Sequence, residues 1–431
     1  MTAALIGFLI AFALIFRRVP IAMALALVGV VGLAAINGLT PALTTLAMSA
    51  QSSTMTYSLS VLPLFILMGN LVAGAGISGN LFRAAQMFVG RQRGGLGMAT
   101  VLACGGFGAI CGSSVATAAT MAQVAIPSMR KFGYADRLSA ATVAAGGTLG
   151  ILIPPSVAMV IYGINTQTHI GKLFAAGLIP GIVGILGYMA AVKWVVWRDP
   201  SAAPLGETTE WSERFSTLRG LWPVIALFGV VMGGIYGGWF TATEAAGIGA
   251  AGAFLFAVTH KSLTLKEIGA ILVDSALVSA AMFAIIFGAA VFVEFINLTG
   301  VHKGLEAMVK DSGLPPFGVI LTIIAIYIVL GCLLESISMM LITVPIFFPV
   351  VMALGYDPVW FGIIVVVAIE IGLITPPIGV NLFVIRSTNP EISMNTILSG
   401  MMPFITVDII RIVLLAAVPI ISLWLPGVLF K

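Results

Sequence analysis

Two Pro-Pro pairs, Pro154-Pro155 and Pro376-Pro377, interrupt stretches otherwise apolar enough to cross a bilayer: "GILIPPSVAMVIYG" from Gly150 and "GLITPPIGVNLFVI" from Gly372. Proline lacks an N–H and crowds the preceding turn, so each pair breaks a helix. Inside a membrane the freed carbonyl and amide groups must meet protein, water or an ion. Small polar residues fall in the right places to join them. Gly112, Ser113 and Ser114 lie in "CGSSVAT", and Thr148 and Ser156 flank the first break. Glu335 and Ser336 lie in "GCLLESISMM", with Thr375, Gly379 and Asn381 around the second. Hydroxyl and carbonyl oxygens suit a hard cation, and helix N-termini suit an anion. Glu335 is the sharpest single residue, because an ionisable side chain at that depth is costly and usually functional; a buried structural hydrogen bond is its alternative.

Other polar residues carry less. Asp274, Glu294, Glu370 and Asp408 can lie near an interface or pair locally, and Asp408 and Arg411 stand three apart on one helix, a spacing that lets them satisfy each other. His169, His260 and His302 fall in expected loops, so no histidine serves a mid-membrane serine or a metal, which argues against an intramembrane hydrolase using Ser113 or Glu335. Cys104, Cys111 and Cys332 sit in apolar surroundings without metal-ligand spacing and read as packing residues.

The elements that hold these residues must be membrane helices. The chain has 431 residues, 60% hydrophobic and 8% charged, with mean hydropathy +1.15. Soluble domains carry about a quarter charged residues, so the composition gives an all-α polytopic membrane protein. Hydropathy and turn residues predict spans near 2–16, 19–37, 58–75, 138–168, 173–197, 220–238, 241–259, 270–296, 357–388 and 400–428. Two further apolar stretches, 95–129 and 315–352, suit hairpins that dip halfway and return; two ordinary crossings each is the rival reading. With the N-terminus outside, 15 of the 20 basic residues fall in cytoplasmic loops, as the positive-inside rule prefers. The C-terminus is then also outside. No basic cluster suggests nucleic acid. Two amphipathic pieces, "ISGNLFRAAQMFVGRQRGG" and "VHKGLEAMVKDSG", suggest helices lying along opposite membrane surfaces.

Sliding the sequence against itself by 222 residues pairs Ser114 with Ser336, Pro127 with Pro349, Gly133 with Gly355, Tyr134 with Tyr356, Val143 with Val365, Gly150 with Gly372, and both Pro-Pro pairs. Such a match in Ser, Gly, Pro and Tyr points to internal duplication. Five crossings separate the two hairpins, and an odd number inverts one unit relative to the other, a plan typical of secondary transporters. The expected organisation is a first half at 1–197 (hairpin 95–129, broken helix 138–168), a cytoplasmic linker at 198–219, and a second half at 220–431 (hairpin 315–352, broken helix 357–388).

The segments "GLITPPIGVNLFV", "LGILIPPS", the "GSS" tip and "TATEAAG" at Thr241 to Gly247 resemble the large membrane subunit of tripartite ATP-independent periplasmic (TRAP) transporters, of the ion transporter superfamily, over nearly the whole chain. That resemblance implies a sodium-driven, elevator-type secondary transporter with a scaffold and a transport domain in the bacterial inner membrane. It implies an organic acid handed over by a periplasmic binding protein, and a small four-helix membrane subunit on a separate chain. It places one Na+ site between Gly112, Ser113, Ser114 and the break at Thr148, Gly150, Pro154 and Ser156. A second would lie between Glu335, Ser336 and Gly372, Thr375, Pro376 and Gly379, with substrate reached by Ser113, Glu335, Pro377 and Asn381. The chain departs from the family pattern at Glu335, where Asp is frequent, and at Ala242, in "TATEA" for "TPTEA". No nucleotide-binding loop or cofactor motif is present, so an ion gradient is the expected energy source. A stand-alone sodium- or proton-coupled anion or dicarboxylate carrier of related fold is the alternative; a channel suits inverted broken helices less well.

Overall fold

The computed structural model describes residues 2–205, 214, 217, 220–260, 262–311 and 313–430. Among them run twenty α-helices and no strand. Six of these are long and apolar enough to cross a membrane, and eight shorter apolar ones accompany them. Most of the expected linker, 206–213 with 215, 216, 218 and 219, lies outside the described residues. Its first residues fold back: Ala202 and Ala203 are buried, and the Ala135 amide donates to the Ala202 carbonyl.

Both dipping stretches are helix–turn–helix hairpins. The first pairs Gly95–Cys111 with Ser114–Lys131, and the second pairs Pro316–Gly331 with Ser336–Ala353. Gly112 makes the first turn at φ +65, a left-handed conformation that glycine adopts without Cβ strain. Both Pro-Pro stretches are interrupted. Asp136–Thr148 passes through a short 3-10 turn at Leu149–Ile151 and an irregular stretch before resuming as Val157–Thr166. Pro358–Ile374 stops at Thr375, and Val380–Thr388 follows. The Pro154-Pro155 and Pro376-Pro377 bonds are cis.

Burial orders the helices from centre to rim. Every residue from Val359 to Ile374 and from Leu138 to Thr148 is buried, so the first halves of the two broken helices form the middle of the molecule. Around them the hairpins interleave. The return arm Ser114–Lys131 packs on Val380–Thr388 of the other repeat, and Ser336–Ala353 packs on Val157–Thr166. Towards the rim, Leu265–Leu298 lies along Ile21–Asn37 and keeps large apolar side chains exposed, among them Leu272, Val273 and Leu277. Apolar surface of that extent belongs against lipid or a partner helix. Capping boxes at Thr241/Glu244 and Thr264/Glu267 fix where two of these rim helices begin.

Two expectations need correction. A helix, Leu39–Met55, lies between the predicted spans 19–37 and 58–75, where "LTPALTTLAMSAQSSTM" is too polar to read as a span. Its Thr44 and Thr54 hydroxyls turn back on the carbonyls four residues earlier, which lets a hydroxyl-rich helix pack on Ile21–Asn37 and Leu265–Leu298. The expected last span, 400–428, is divided into Met394–Ala417 and Ile420–Leu429, since Pro419 cannot donate to the preceding turn. His169 lies in the short connection before Ile170–Arg198, as expected, and its ring Nδ1 caps that helix by accepting the Lys172 amide at 3.2 Å. The two amphipathic pieces do form helices, Ile77–Val89 and Val301–Asp311.

Candidate functional site at the two helix breaks

Each hairpin tip is fastened to the break of its own repeat by the backbone. The Val157 amide donates to the Gly112 carbonyl at 3.4 Å, and the Gly379 amide donates to the Cys332 carbonyl at 3.3 Å. Val157 and Gly379 are equivalent in the 222-residue register, so the two junctions repeat one design. Below each tip the hairpin and broken helix cross through glycines. A Cβ on Gly108 would stand 2.6 Å from the Gly150 Cα, and one on Gly331 would stand 3.0 Å from the Gly372 Cα. These contacts bring the tip and break residues of each repeat together, as their spacing suggested.

Side chains finish the junctions by capping helices, since the first amides of a helix have no partner within it. Ser113 accepts the Ala116 amide at 3.4 Å, and Ser156 accepts the Met159 amide at 3.2 Å while donating to the Ile151 carbonyl across the break. Glu335 caps the return arm of the second hairpin: Oε2 accepts the Ile337 amide at 3.1 Å, the Ser338 amide at 3.3 Å and the Ser338 hydroxyl at 3.4 Å. A carboxylate in that place also meets the positive end of the helix dipole. Thr375 donates to the Ile371 carbonyl, and Ser336 is buried at the tip. Pro154 and Gly150 are buried within the first break, whereas Pro376 and Pro377 are exposed at the second.

Two candidate residues lead across the repeats, Asn381 directly and Thr148 through Tyr188. The Asn381 amide donates to Ser114 Oγ at 2.8 Å and to the Ala144 carbonyl at 3.2 Å. Asn381 thus ties the second broken helix to the first tip, not to its own hairpin. Thr148 contacts Tyr188 Oη at 3.1 Å, and Tyr188 donates to Asp408 Oδ2 at 2.7 Å. Arg411 then holds Asp408 at 2.9 Å and also Glu370, all five side chains being buried. Thr148 and Glu370 are equivalent positions, 222 apart, each two residues before the glycine of its break. The Asp408–Arg411 pairing is legible from spacing; the sequence lets Glu370 lie near an interface or pair locally, and it gives no signal for Tyr188. The repeat register was the signal for Glu370, because it sets that carboxylate opposite Thr148.

Away from the breaks, a cavity of ≈ 510 Å³ lies between Leu265–Leu298 and the second hairpin's return arm, with Asn165, Thr166, Glu294, Leu341 and Phe348 in its wall. At the cytoplasmic side of the predicted orientation, Arg130 pairs with Asp136 at 2.6 Å and with Glu391. The Glu391 carboxyl is held below its ordinary range by a bond from its own amide and then by Arg130. No group of three or more His, Cys, Asp or Glu residues stands together as a metal site among the described residues.

Two interrupted helices interleaved with two hairpins in a many-helix apolar body define a multi-pass membrane transporter. The chain belongs to the family described as Tripartite ATP-independent periplasmic transporter, DctM component, which matches residues 8–421. It is 36% identical to the C4-dicarboxylate TRAP transporter large permease protein DctM of Pseudomonas aeruginosa, over 86% of each chain. It is 31% identical to the ectoine TRAP transporter large permease protein TeaC of Halomonas elongata, over 100% of this chain and 99% of the other. The sialic acid TRAP transporter large permease protein SiaM of Vibrio cholerae matches at 32% over 86% of each chain. In fold, the chain is similar to the crystal structure of the Alcanivorax borkumensis YdaH transporter, with TM-score 0.65 over 90% of both chains at 15% identity.

Proposed function

We propose that this chain is the large permease of a tripartite system that takes up a small organic acid, coupled to Na+ entry. The relatives are permeases for C4-dicarboxylate, sialic acid and ectoine, which share a carboxylate and little else, so a carboxylate-bearing solute is the substrate class. A periplasmic binding protein would deliver it, and a small membrane subunit would cover part of the exposed apolar rim. The observation that carries the reading is the pair of tip–break junctions. Each sets hydroxyl and carbonyl oxygens beside a helix N-terminus, which is the mixture a sodium ion and a carboxylate need when they travel together. Elevator motion of the central hairpins and broken helices against the rim helices follows from the same plan, with the cavity beside Leu265–Leu298 on the seam. The N- and C-termini face the periplasm in the orientation that the basic residues favour.

Thermal unfolding of the purified chain tests the ion first, because a ligand that binds only the folded state raises the midpoint. Replacing K+ or choline by Na+ at constant ionic strength should raise it, and Ser113→Ala with Ser336→Ala should reduce the rise. An equal midpoint in all three salts would overturn sodium coupling at these junctions. Uptake into vesicles by this chain without partners would instead favour a stand-alone carrier.

A further inference from the structure

The return arm of the second hairpin carries two prolines inside its helix, Pro345 and Pro349, where that of the first carries one, Pro127. In the 222-residue register Pro349 matches Pro127, but Pro345 matches Gln123, so the extra proline belongs to the second repeat alone. A proline cannot donate to the carbonyl four residues earlier. Pro345 therefore takes the helical donor from the Leu341 carbonyl, and Pro349 takes it from the Pro345 carbonyl. Leu341, Val344, Pro345, Phe348 and Pro349 recur at helical spacing, and all five line the ≈ 510 Å³ cavity between this arm and Leu265–Leu298. The stripe that has lost its backbone donors is thus the stripe in the cavity wall. Across from it Leu265–Leu298 contributes Ala289, Ala290, Val293, Glu294 and Asn297. Glu294 is the one titratable side chain in that lining; it is exposed and forms no ion pair among the described residues. Asn165 and Thr166, in the last turn of Val157–Thr166, add side-chain oxygens.

We propose that this cavity is a binding site for a hard monovalent cation, held by the Glu294 carboxylate on the rim helix and by the Leu341 and Pro345 carbonyls on the hairpin. Carboxylate and carbonyl oxygens are the ligands such an ion takes, and a carbonyl freed by proline needs water or an ion in place of its lost donor. A single carboxylate balances a single charge. Among the described residues no group of three or more His, Cys, Asp or Glu stands together to hold a divalent metal. The cavity is wide enough for the ion to keep part of its water, so K+ and Na+ are both accepted. Bound there, the ion bridges a rim helix and a central hairpin and holds the seam between them together. None of its ligands is a residue of the tip–break junctions, and the site stands whether or not sodium binds at those junctions.

Hydrogen–deuterium exchange of the full chain in lipid nanodiscs reads the site, with K+ as the probe and choline at equal ionic strength as the reference. K+ should slow exchange in segments 286–297 and 341–349, which form the two walls, by about twofold when its concentration equals the dissociation constant. Glu294→Gln keeps the shape of the wall, removes the charge, and should abolish the slowing. Pro345→Ala returns an N–H to the Leu341 carbonyl and should weaken it. Pro127→Ala, the corresponding change in the first hairpin, should leave it intact. Equal exchange in K+ and choline in the wild-type chain would overturn the site, and so would a K+ effect that survives Glu294→Gln. A full effect in Pro345→Ala would strike the carbonyls from the ligand set. Na+ in place of K+ should protect the same two segments. The Val157 and Gly379 amides, which bind the two tips, report on the junctions in the same experiment. A Na+ response confined to those amides, with neither ion slowing the cavity walls, would overturn this site and leave the sodium proposal standing.

Discussion

The two tip–break junctions share a backbone plan and differ in charge and cover. In the first, the tip is neutral, Ser113 caps the return arm, and every residue from Leu149 to Val157 is buried. In the second, Glu335 caps the return arm and the break exposes Pro376 and Pro377. The cause lies in the neighbours. Pro155 sits under Met68 of Val61–Gly74 and under Leu227, Phe228 and Val231 of Trp222–Tyr236, which close over the first break. Cross-repeat bonding differs as well. Asn381 bonds Ser114, but the position equivalent to Asn381 is Met159, an apolar core residue, so Ser336 has no matching amide. Duplication set the geometry twice, while the surroundings placed charge and access at the second junction and packing at the first.

Removing the network that joins the junctions should have the largest effect. Arg411→Met leaves Glu370 and Asp408 buried without their counter-charge, an arrangement whose cost runs to about 3–5 kcal/mol. The expected result is a large fall in unfolding midpoint. The triple variant Glu370→Gln, Asp408→Asn, Arg411→Met should recover part of it, because no unpaired charge remains. An Arg411→Met protein as stable as wild type would separate the two junctions altogether. The glycine crossings sharpen the contrast at smaller scale. Gly108→Ala drives a methyl against the Gly150 backbone inside the covered junction, for a loss of about 1–3 kcal/mol, while Gly331→Ala meets Gly372 at a longer distance beside the open one and should cost less. Equal losses, or the reverse order, would show that cover does not set rigidity.

How much of this was visible in the sequence depends on the kind of signal. The Pro-Pro breaks, both hairpins and their pairing into repeats were legible, because proline and glycine constrain the backbone directly and duplication aligns them. Leu39–Met55 was not, since its helix is held by tertiary packing that hydropathy does not see. Among the site residues, the caps Ser113, Ser156 and Glu335 were expected as polar groups but not as caps. The cross-repeat partner of Asn381 was hidden, because its pairing with Ser114 spans 267 residues and depends on how the arms interleave. Gly331 escaped the register by one residue, as Gly108 matches position 330 in the repeat.

The smallest expected effect concerns a second asymmetry, at the ends of the hairpin return arms far from the tips. Arg130 joins the first hairpin to Asp136 of the first broken helix and to Glu391, in the connection after the second. The equivalent of Arg130 in the other repeat is Met352, so the second hairpin has no such clasp. Glu391 has a folded-state pKa held below its unfolded value, by its own amide and by Arg130. Its contribution to stability is therefore present above the unfolded value, about pH 4.3 for glutamate, and is lost as pH falls through the lower folded value. Glu391→Gln should unfold slightly earlier than wild type at neutral pH, by a small margin because the pair is exposed and screened. The two midpoints should converge as the pH is lowered below that range, and raising salt at neutral pH should narrow the same gap. A difference that survives both treatments would assign the loss to packing of the connection, and the clasp would no longer distinguish the two hairpins.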